Sequence, residues 1–175
     1  MEVFNYEIMK PLFDILDQTK GVTQMSIWHP EGDVLSHSLQ VMDIAFKESI
    51  DTDLILAGML HDVGKVVNSK GHDKIAVEWL DDLISVKTSW LIENHMRFWA
   101  YIMGEMKKHS KVQELANYGW LPELTMLARW DKIGRNPNKQ VKYDKMEIID
   151  RLNRCVDKHF EINKRRKDED KSNQD

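Results

Sequence analysis

The chain has 175 residues, 42% of them hydrophobic and 31% charged, and carries a net charge of −4. That balance fits one folded domain with one core and excludes a disordered chain, while the acidic excess argues against a dedicated binder of long duplex nucleic acid, which carries a basic face. The longest apolar run, Leu54 to Leu60, is far too short to cross a bilayer, and the first residues show no basic-then-apolar leader pattern, so a cytoplasmic location with no membrane partner is expected.

Helical periodicity runs through the chain. Phe4, Ile8, Leu12, Ile15 and Leu16 form one stripe, which predicts an opening helix with Pro11 as a kink or boundary. Gly21 to Asp33 contains Gly21, Pro30 and Gly32 without a sustained period and reads as a loop. A second helix is expected from Ser36 to about Ile50, with Leu39, Met42 and Phe46 at helical spacing. Asp51, Thr52 and Asp53 offer N-caps for a third helix. It ends near His61-Asp62-Val63-Gly64, with Gly64 placed to terminate it.

Further helices are predicted at about 72–84, 87–107, 110–118, 122–134 and 144–162. No alternating strand pattern with hairpin turns is present, and the fold class is all-α, a single-domain helical bundle over residues 1–162. The single cysteine, Cys155, falls among Ile148, Ile149 and Leu152 as a small core residue. Residues 163–175 are almost wholly polar and are expected to be a frayed helix end or a flexible tail.

The third helix carries the chemistry. Leu54 to Leu60 are apolar on every side, so the helix is buried, yet it ends in an imidazole and a carboxylate. An unpaired buried carboxylate costs several kcal/mol. A divalent cation beyond the helix end resolves the conflict by pairing with Asp62 and accepting a nitrogen of His61. Two ligands are too few, and His37, His72, His95 and Asp131 are the further candidates. Such nitrogen and oxygen donors suit Mn, Fe, Co, Ni, Zn or Mg, and donors on several helices can converge in a bundle core. By spacing alone, a lone histidine on a helix is more often a surface or satisfied core residue than a ligand.

Taken in order, His37, His61-Asp62, His72, His95 and Asp131 resemble the pattern of the HD superfamily of metal-dependent phosphohydrolases. The segments His29-Pro30-Glu31-Gly32-Asp33-Val34-Leu35-Ser36-His37, His61-Asp62-Val63-Gly64-Lys65, Gly71-His72-Asp73 and Asp131-Lys132-Ile133-Gly134-Arg135 are similar to the HD domain attached to some bacterial tRNA nucleotidyltransferases. The resemblance spans residues 23 to 135, and the domain is expected to stand alone, without a nucleotidyltransferase domain.

The resemblance implies an HD-type helical bundle. His37, His61, Asp62 and Asp131 match the ligands of one-metal members, and His72 and His95 match the extra histidines of two-metal members, in which the doublet Asp bridges both ions. It implies a phosphatase or phosphodiesterase, 2′,3′-cyclic phosphates included, acting on a nucleotide or similar small phosphorylated substrate, with an RNA end as another partner. Val63-Gly64-Lys65 follows the doublet in place of the acidic residues of ppGpp hydrolases, which argues against that activity. No Glu stands three residues after Asp62, where single-metal nucleotidases often carry a general acid.

Phosphoryl transfer needs cations around the phosphate. Lys65, just past the helix end, is the first candidate, joining Asp62 as a catalytic residue; Arg135, Lys132 and Arg97 are further substrate-binding candidates. Trp28 and Trp130 flank motif residues and offer faces for a base, whereas Trp79, Trp90, Trp99 and Trp120 read as core anchors. A deoxynucleoside triphosphohydrolase is the alternative enzyme. A di-iron oxygenase, or a module binding RNA or protein around a structural metal, are alternatives of other classes.

Overall fold

Asn5, Asp33, Asp51 and Ser85 each start a helix by accepting a backbone N–H of the first turn with the side chain. In the computed structural model, which describes residues 2–172, these caps open α1 (Tyr6–Asp17), α2 (Val34–Glu48), α3 (Thr52–Leu60) and α5 (Val86–Ile102). A 3-10 turn, Val63–Val66, leads from α3 towards α4 (His72–Trp79). The remaining helices are α6 (His109–Ala116), α7 (Leu121–Ile133) and α8 (Lys145–Ser172), and the described residues contain no strand.

The short α3 is the hub. Each residue from Leu54 to Leu60 is buried, and α2, α5, α7 and α8 pack around it. Gly58 faces α2 with Val41 Cγ1 only 3.4 Å from where a Cβ would stand. The helix therefore has no solvent face, as its all-apolar composition requires. α1 closes one side of the core with Met9, Leu12, Phe13 and Leu16, and packs on α8. There Asn153 accepts from the backbone N–H of Phe4 and donates to its carbonyl.

Several boundaries depart from the periodicity reading. Pro11 lies inside α1, and the helix runs on past it. α4 stops at Trp79, well before residue 84, and the chain turns through Asp82 at a φ of 61°. α5 stops at Ile102 rather than near 107, and Gly104 follows at a φ of 72°. α8 continues beyond residue 162 to Ser172, so most of the polar stretch expected as a frayed end or flexible tail is helical, and residues 173–175 lie outside the described residues. Gly64 does not end α3 as a left-handed cap. The helix ends at Leu60, and Gly64 sits in the 3-10 turn, where a Cβ would stand 2.0 Å from the carbonyl oxygen of His72. Close approach of α4, not turn geometry, is what calls for glycine there.

Candidate metal centre

Six side chains from five elements meet at one end of α3. His37 comes from the first turns of α2, His61 and Asp62 from the end of α3, His72 opens α4, His95 lies in α5, and Asp131 stands in the last turn of α7. All six are buried, the most accessible being Asp131 at 7%. The buried hub helix thus delivers the doublet into the interior, and its neighbours supply the rest.

The four histidines share one arrangement. Nδ1 of His37, His61, His72 and His95 lies 2.6–3.0 Å from the carbonyl oxygens of Gly134, Gly58, Ser69 and Ile92 respectively. A carbonyl only accepts, so each Nδ1 carries a hydrogen and each Nε2 is left to face the cluster. Backbone bonds of this kind fix ring orientation and raise ligand basicity.

Asp62 divides the cluster into two sides. Its Oδ2 lies 3.5 Å from His61 Nε2 and 3.6 Å from His37 Nε2. Asp131 Oδ1 completes that side at 3.0 Å from His37 Nε2 and 3.9 Å from His61 Nε2. The other oxygen, Oδ1, lies 3.0 Å from His72 Nε2 and 3.8 Å from His95 Nε2. Donor atoms of His37, His61 and Asp131 lie within 4.8 Å of one another, and so do those of His61, Asp62 and His95.

These residues fit a divalent ion on a specific ground. His61 Nε2 is buried without a hydrogen-bond partner, its lone pair aimed at two carboxylates. His72 Nε2 and His95 Nε2 stand 3.1 Å apart, although each ring already has its Nδ1 hydrogen engaged. Facing lone pairs repel unless a proton or a cation lies between them. Hard and borderline divalent ions accept this nitrogen and carboxylate set.

The electrostatics show the same tension. Burial pushes the His61 imidazole down to about 4 and lowers His95. At His37 burial also opposes the charge, but the bonds to Asp131 and Glu31 and the charge of Asp62 outweigh it and raise the group to about 9. His72 is raised against its burial by the Asp62 carboxylate. Burial pushes both Asp62 and Asp131 up, yet the surrounding imidazoles, with Lys65 beside Asp62, hold each well below the usual carboxylate range.

The four expected cations fall into two groups. Lys65 Nζ lies 2.6 Å from Asp62 Oδ2 and donates to Gln24 Oε1 at 3.0 Å. Arg135 donates to Asp131 Oδ1 at 3.0 Å and also to its backbone carbonyl. Both therefore hold a carboxylate of the cluster, and both line a cavity of about 290 Å³ with Gln24, Met25, Trp28, His29 and Ser69. Lys132 is exposed and bonds to none of the cluster residues. Arg97 donates to Asn94 and lines a different groove with Lys107, Lys108 and Lys111. Neither is brought to the cluster. Of the two tryptophans expected to offer faces, Trp28 is 62% exposed at the cavity, whereas Trp130 is fully buried in the core.

The loop from Gly21 to Asp33 supplies residues whose role the sequence reading did not assign. Glu31 Oε1 lies 2.8 Å from His37 Nδ1 and 2.9 Å from His29 Nδ1. The Glu31 side chain is fully buried and its Oε2 has no partner. Burial opposes its charge, but the two histidines hold its carboxyl below the usual range, while burial lowers His29. The signal was the short His29-Pro30-Glu31 spacing upstream of His37, which periodicity does not score. Asp33 anchors the loop end, accepting from Gly21 N–H at 2.7 Å and capping α2 through Ser36.

A family model described as the HD domain matches residues 34–158. The chain belongs to the HD domain family. HD domains form a superfamily of metal-dependent phosphohydrolases and bind divalent metals. The match begins at the first residue of α2 and takes in all six cluster residues, but leaves α1 and the cavity loop outside. No helix among the described residues is long and apolar enough to cross a membrane.

Proposed function

We propose that this HD domain is a phosphatase or phosphodiesterase for a nucleotide-sized substrate, 2′,3′-cyclic phosphates included. His37, His61, Asp62 and Asp131 hold one divalent ion. Asp62, His72 and His95 hold a second. The single observation that carries this reading is the split at Asp62, whose two oxygens face two separate sets of imidazole nitrogens.

Divalent ions bound there polarise the phosphoryl group and acidify water at neutral pH. The protein's own part is positional and electrostatic. The backbone carbonyls at Gly58, Ser69, Ile92 and Gly134 keep every Nε2 inward. Asp62 supplies the charge shared by both sides. Lys65 and Arg135 bridge from ligand carboxylates to the adjoining cavity, so a phosphate entering it meets two cations already fixed by their partners. The exposed face of Trp28 is available to a base or another flat group. The cavity's size suits a small ligand, or the end of a longer one, rather than a duplex.

The test is a screen of the protein loaded with Mn, Fe, Co, Ni, Zn or Mg against nucleoside monophosphates, 2′,3′-cyclic nucleotides and deoxynucleoside triphosphates, with product analysis. Release of inorganic phosphate or opening of the cyclic ester is expected. Tripolyphosphate as the product overturns the reading in favour of a triphosphohydrolase. Oxygen consumption by the iron form without hydrolysis overturns it in favour of an oxygenase.

A further inference from the structure

We propose that the outward face of α5 is a self-association surface, on which a second copy of this chain packs its own α5 antiparallel. The helix buries Thr88, Leu91, Ile92, Asn94, His95 and Phe98. On its other side Val86, Ser89, Glu93, Met96, Ala100 and the C-cap Met103 follow one another at alternating intervals of three and four residues, the spacing of a helix-pairing seam. The solvent face of a surface helix is ordinarily polar. Here Val86 is 78%, Met96 46% and Met103 65% exposed, and a row of apolar side chains left in water marks a surface that another molecule covers.

Charge at the two ends of the face says what that molecule is. Asp81 and Asp82 stand in the turn before α5 and, with Trp90 and Glu93, line a groove of about 340 Å³ at its start. Lys107 and Lys108 follow the end of α5 and, with Arg97 and Lys111, line a groove of about 380 Å³. Asp81, Asp82, Lys107 and Lys108 are all exposed, and among the described residues none of the four has an ion-pair partner. Two α5 helices packed antiparallel about their centres bring the acidic start of each beside the basic end of the other. Val86 then faces Met103 of the second copy, the small Ser89 faces Ala100 and lets the backbones approach, and Met96 packs beside the two-fold axis. A parallel pair would set like charges together. Exposed ion pairs contribute little each, so they set the direction while the apolar seam supplies the attraction. The same face serves both copies, so the assembly closes at two. The cavity lined by Lys65 and Arg135 shares no residue with this face.

The test is sedimentation of the intact chain across micromolar concentrations, where a reversible dimer is expected. Val86→Asp should leave a monomer. An acidic residue suits the first turn of a helix, so this variant should keep the far-ultraviolet spectrum of the parent. Asp81→Lys and Lys108→Glu should each weaken the dimer about tenfold, because each sets like charges together at both ends of the seam. The two substitutions in one chain should restore the affinity, since the opposite charges are then exchanged rather than lost. A chain carrying both Ser89→Cys and Ala100→Cys should form a disulfide-linked dimer on treatment with diamide and separate again in reductant. On one helix those positions stand about 16 Å apart, too far to bond within a chain, and Cys155 is buried.

A monomer at every concentration overturns the inference, whether or not the basic groove then takes a fluorescent oligonucleotide. So does a dimer that survives in folded Val86→Asp, the absence of the cross-link in a folded double-cysteine chain, or a pair of charge reversals whose combination fails to restore what each alone loses.

Discussion

A histidine can present either nitrogen to a ligand, and here four of them present the same one because backbone carbonyls take the other. What remains variable is the proton on Nε2. His37 is raised from 6.5 to about 9, so between those values the folded chain holds a proton that the unfolded chain has lost. Its contribution to stability is whole below about pH 6.5 and disappears as pH rises through about 9. His61, lowered to about 4, acts in the opposite sense. The unfolded chain binds the extra proton, and stability falls as pH drops from about 6.5 towards 4. Protein stripped of metal is therefore expected to be most stable near pH 6.5 and to lose thermal midpoint on both sides. Unfolding curves in chelator at several pH values check this, and a steady rise or fall across the range would contradict it. At Asp62 the expectation is simpler. Both sides of the cluster share its carboxylate, so Asp62→Ala should abolish hydrolysis and lose both ions, while the chain still folds because a buried charge has been removed. Metal analysis on the purified variant decides it, and retention of one tightly held ion would refute the shared role. Glu31→Gln is milder. It weakens the support of His37 Nδ1 and should lower metal affinity about 10- to 100-fold, the usual effect of losing a carboxylate behind a ligating histidine. Competition with a chelating dye measures that shift.

At the scale of elements, the connection from α3 to α4 controls the second side of the cluster. Gly64 leaves no room for a side chain. A Cβ would stand 2.0 Å from His72 O and 2.9 Å from the backbone N of Ala76. Both obstacles are backbone, which cannot swing aside, so Gly64→Ala must displace α4 and with it His72. A destabilisation of at least about 2 kcal/mol is expected, within the range for overpacking, together with loss of one ion in metal analysis. An unchanged midpoint with both ions retained would show that the turn tolerates the shift. Much of the architecture was legible because it rests on local rules. The polar cap at Asp51 and the all-apolar run from Leu54 to Leu60 mark a real helix, and the burial of the doublet that ends it follows from that run. Where α4 and α5 stop was not legible, since Asp82 and Gly104 take left-handed backbone beyond sequences that still look periodic. Nor was Glu31, because burial of a carboxylate in a polar loop depends on the loop folding over α2. Lys132 shares a helix turn with Asp131 yet remains at the surface, as neighbours about 100° apart on a helix do.

For the whole molecule, the matched region and the cooperative unit differ. The HD match covers 34–158, but the core does not end at residue 34. α1 contributes Met9, Leu12, Phe13 and Leu16, all buried, and Asn153 of α8 ties down the backbone of Phe4. At the other end the pattern reverses. Leu152, Asn153, Cys155 and Val156 are the last residues of α8 to be buried or half-buried, and residues 157–170 are all exposed. The two ends should therefore respond oppositely to removal. Deleting residues 1–17 uncovers the partners of four buried apolar side chains, each worth roughly 1.5–3 kcal/mol, or on the order of 6 to 12 kcal/mol together as an upper bound. Domains of this size are stable by only about 5–15 kcal/mol, so that chain is expected to be unfolded or aggregated and to bind no metal tightly. Ending the chain after Ile162 removes helix that touches little of the core, and should shift the thermal midpoint by no more than about 2 °C, less than a 1 kcal/mol change produces at this length. Hydrolysis and metal content should be unchanged, because every cluster and cavity residue lies before residue 136. Thermal unfolding of both shortened chains beside the intact one decides the matter. A folded, metal-binding protein without α1 would show that the matched region suffices alone, and a large loss on trimming at Ile162 would show that the exposed length of α8 is held by contacts its burial does not reveal.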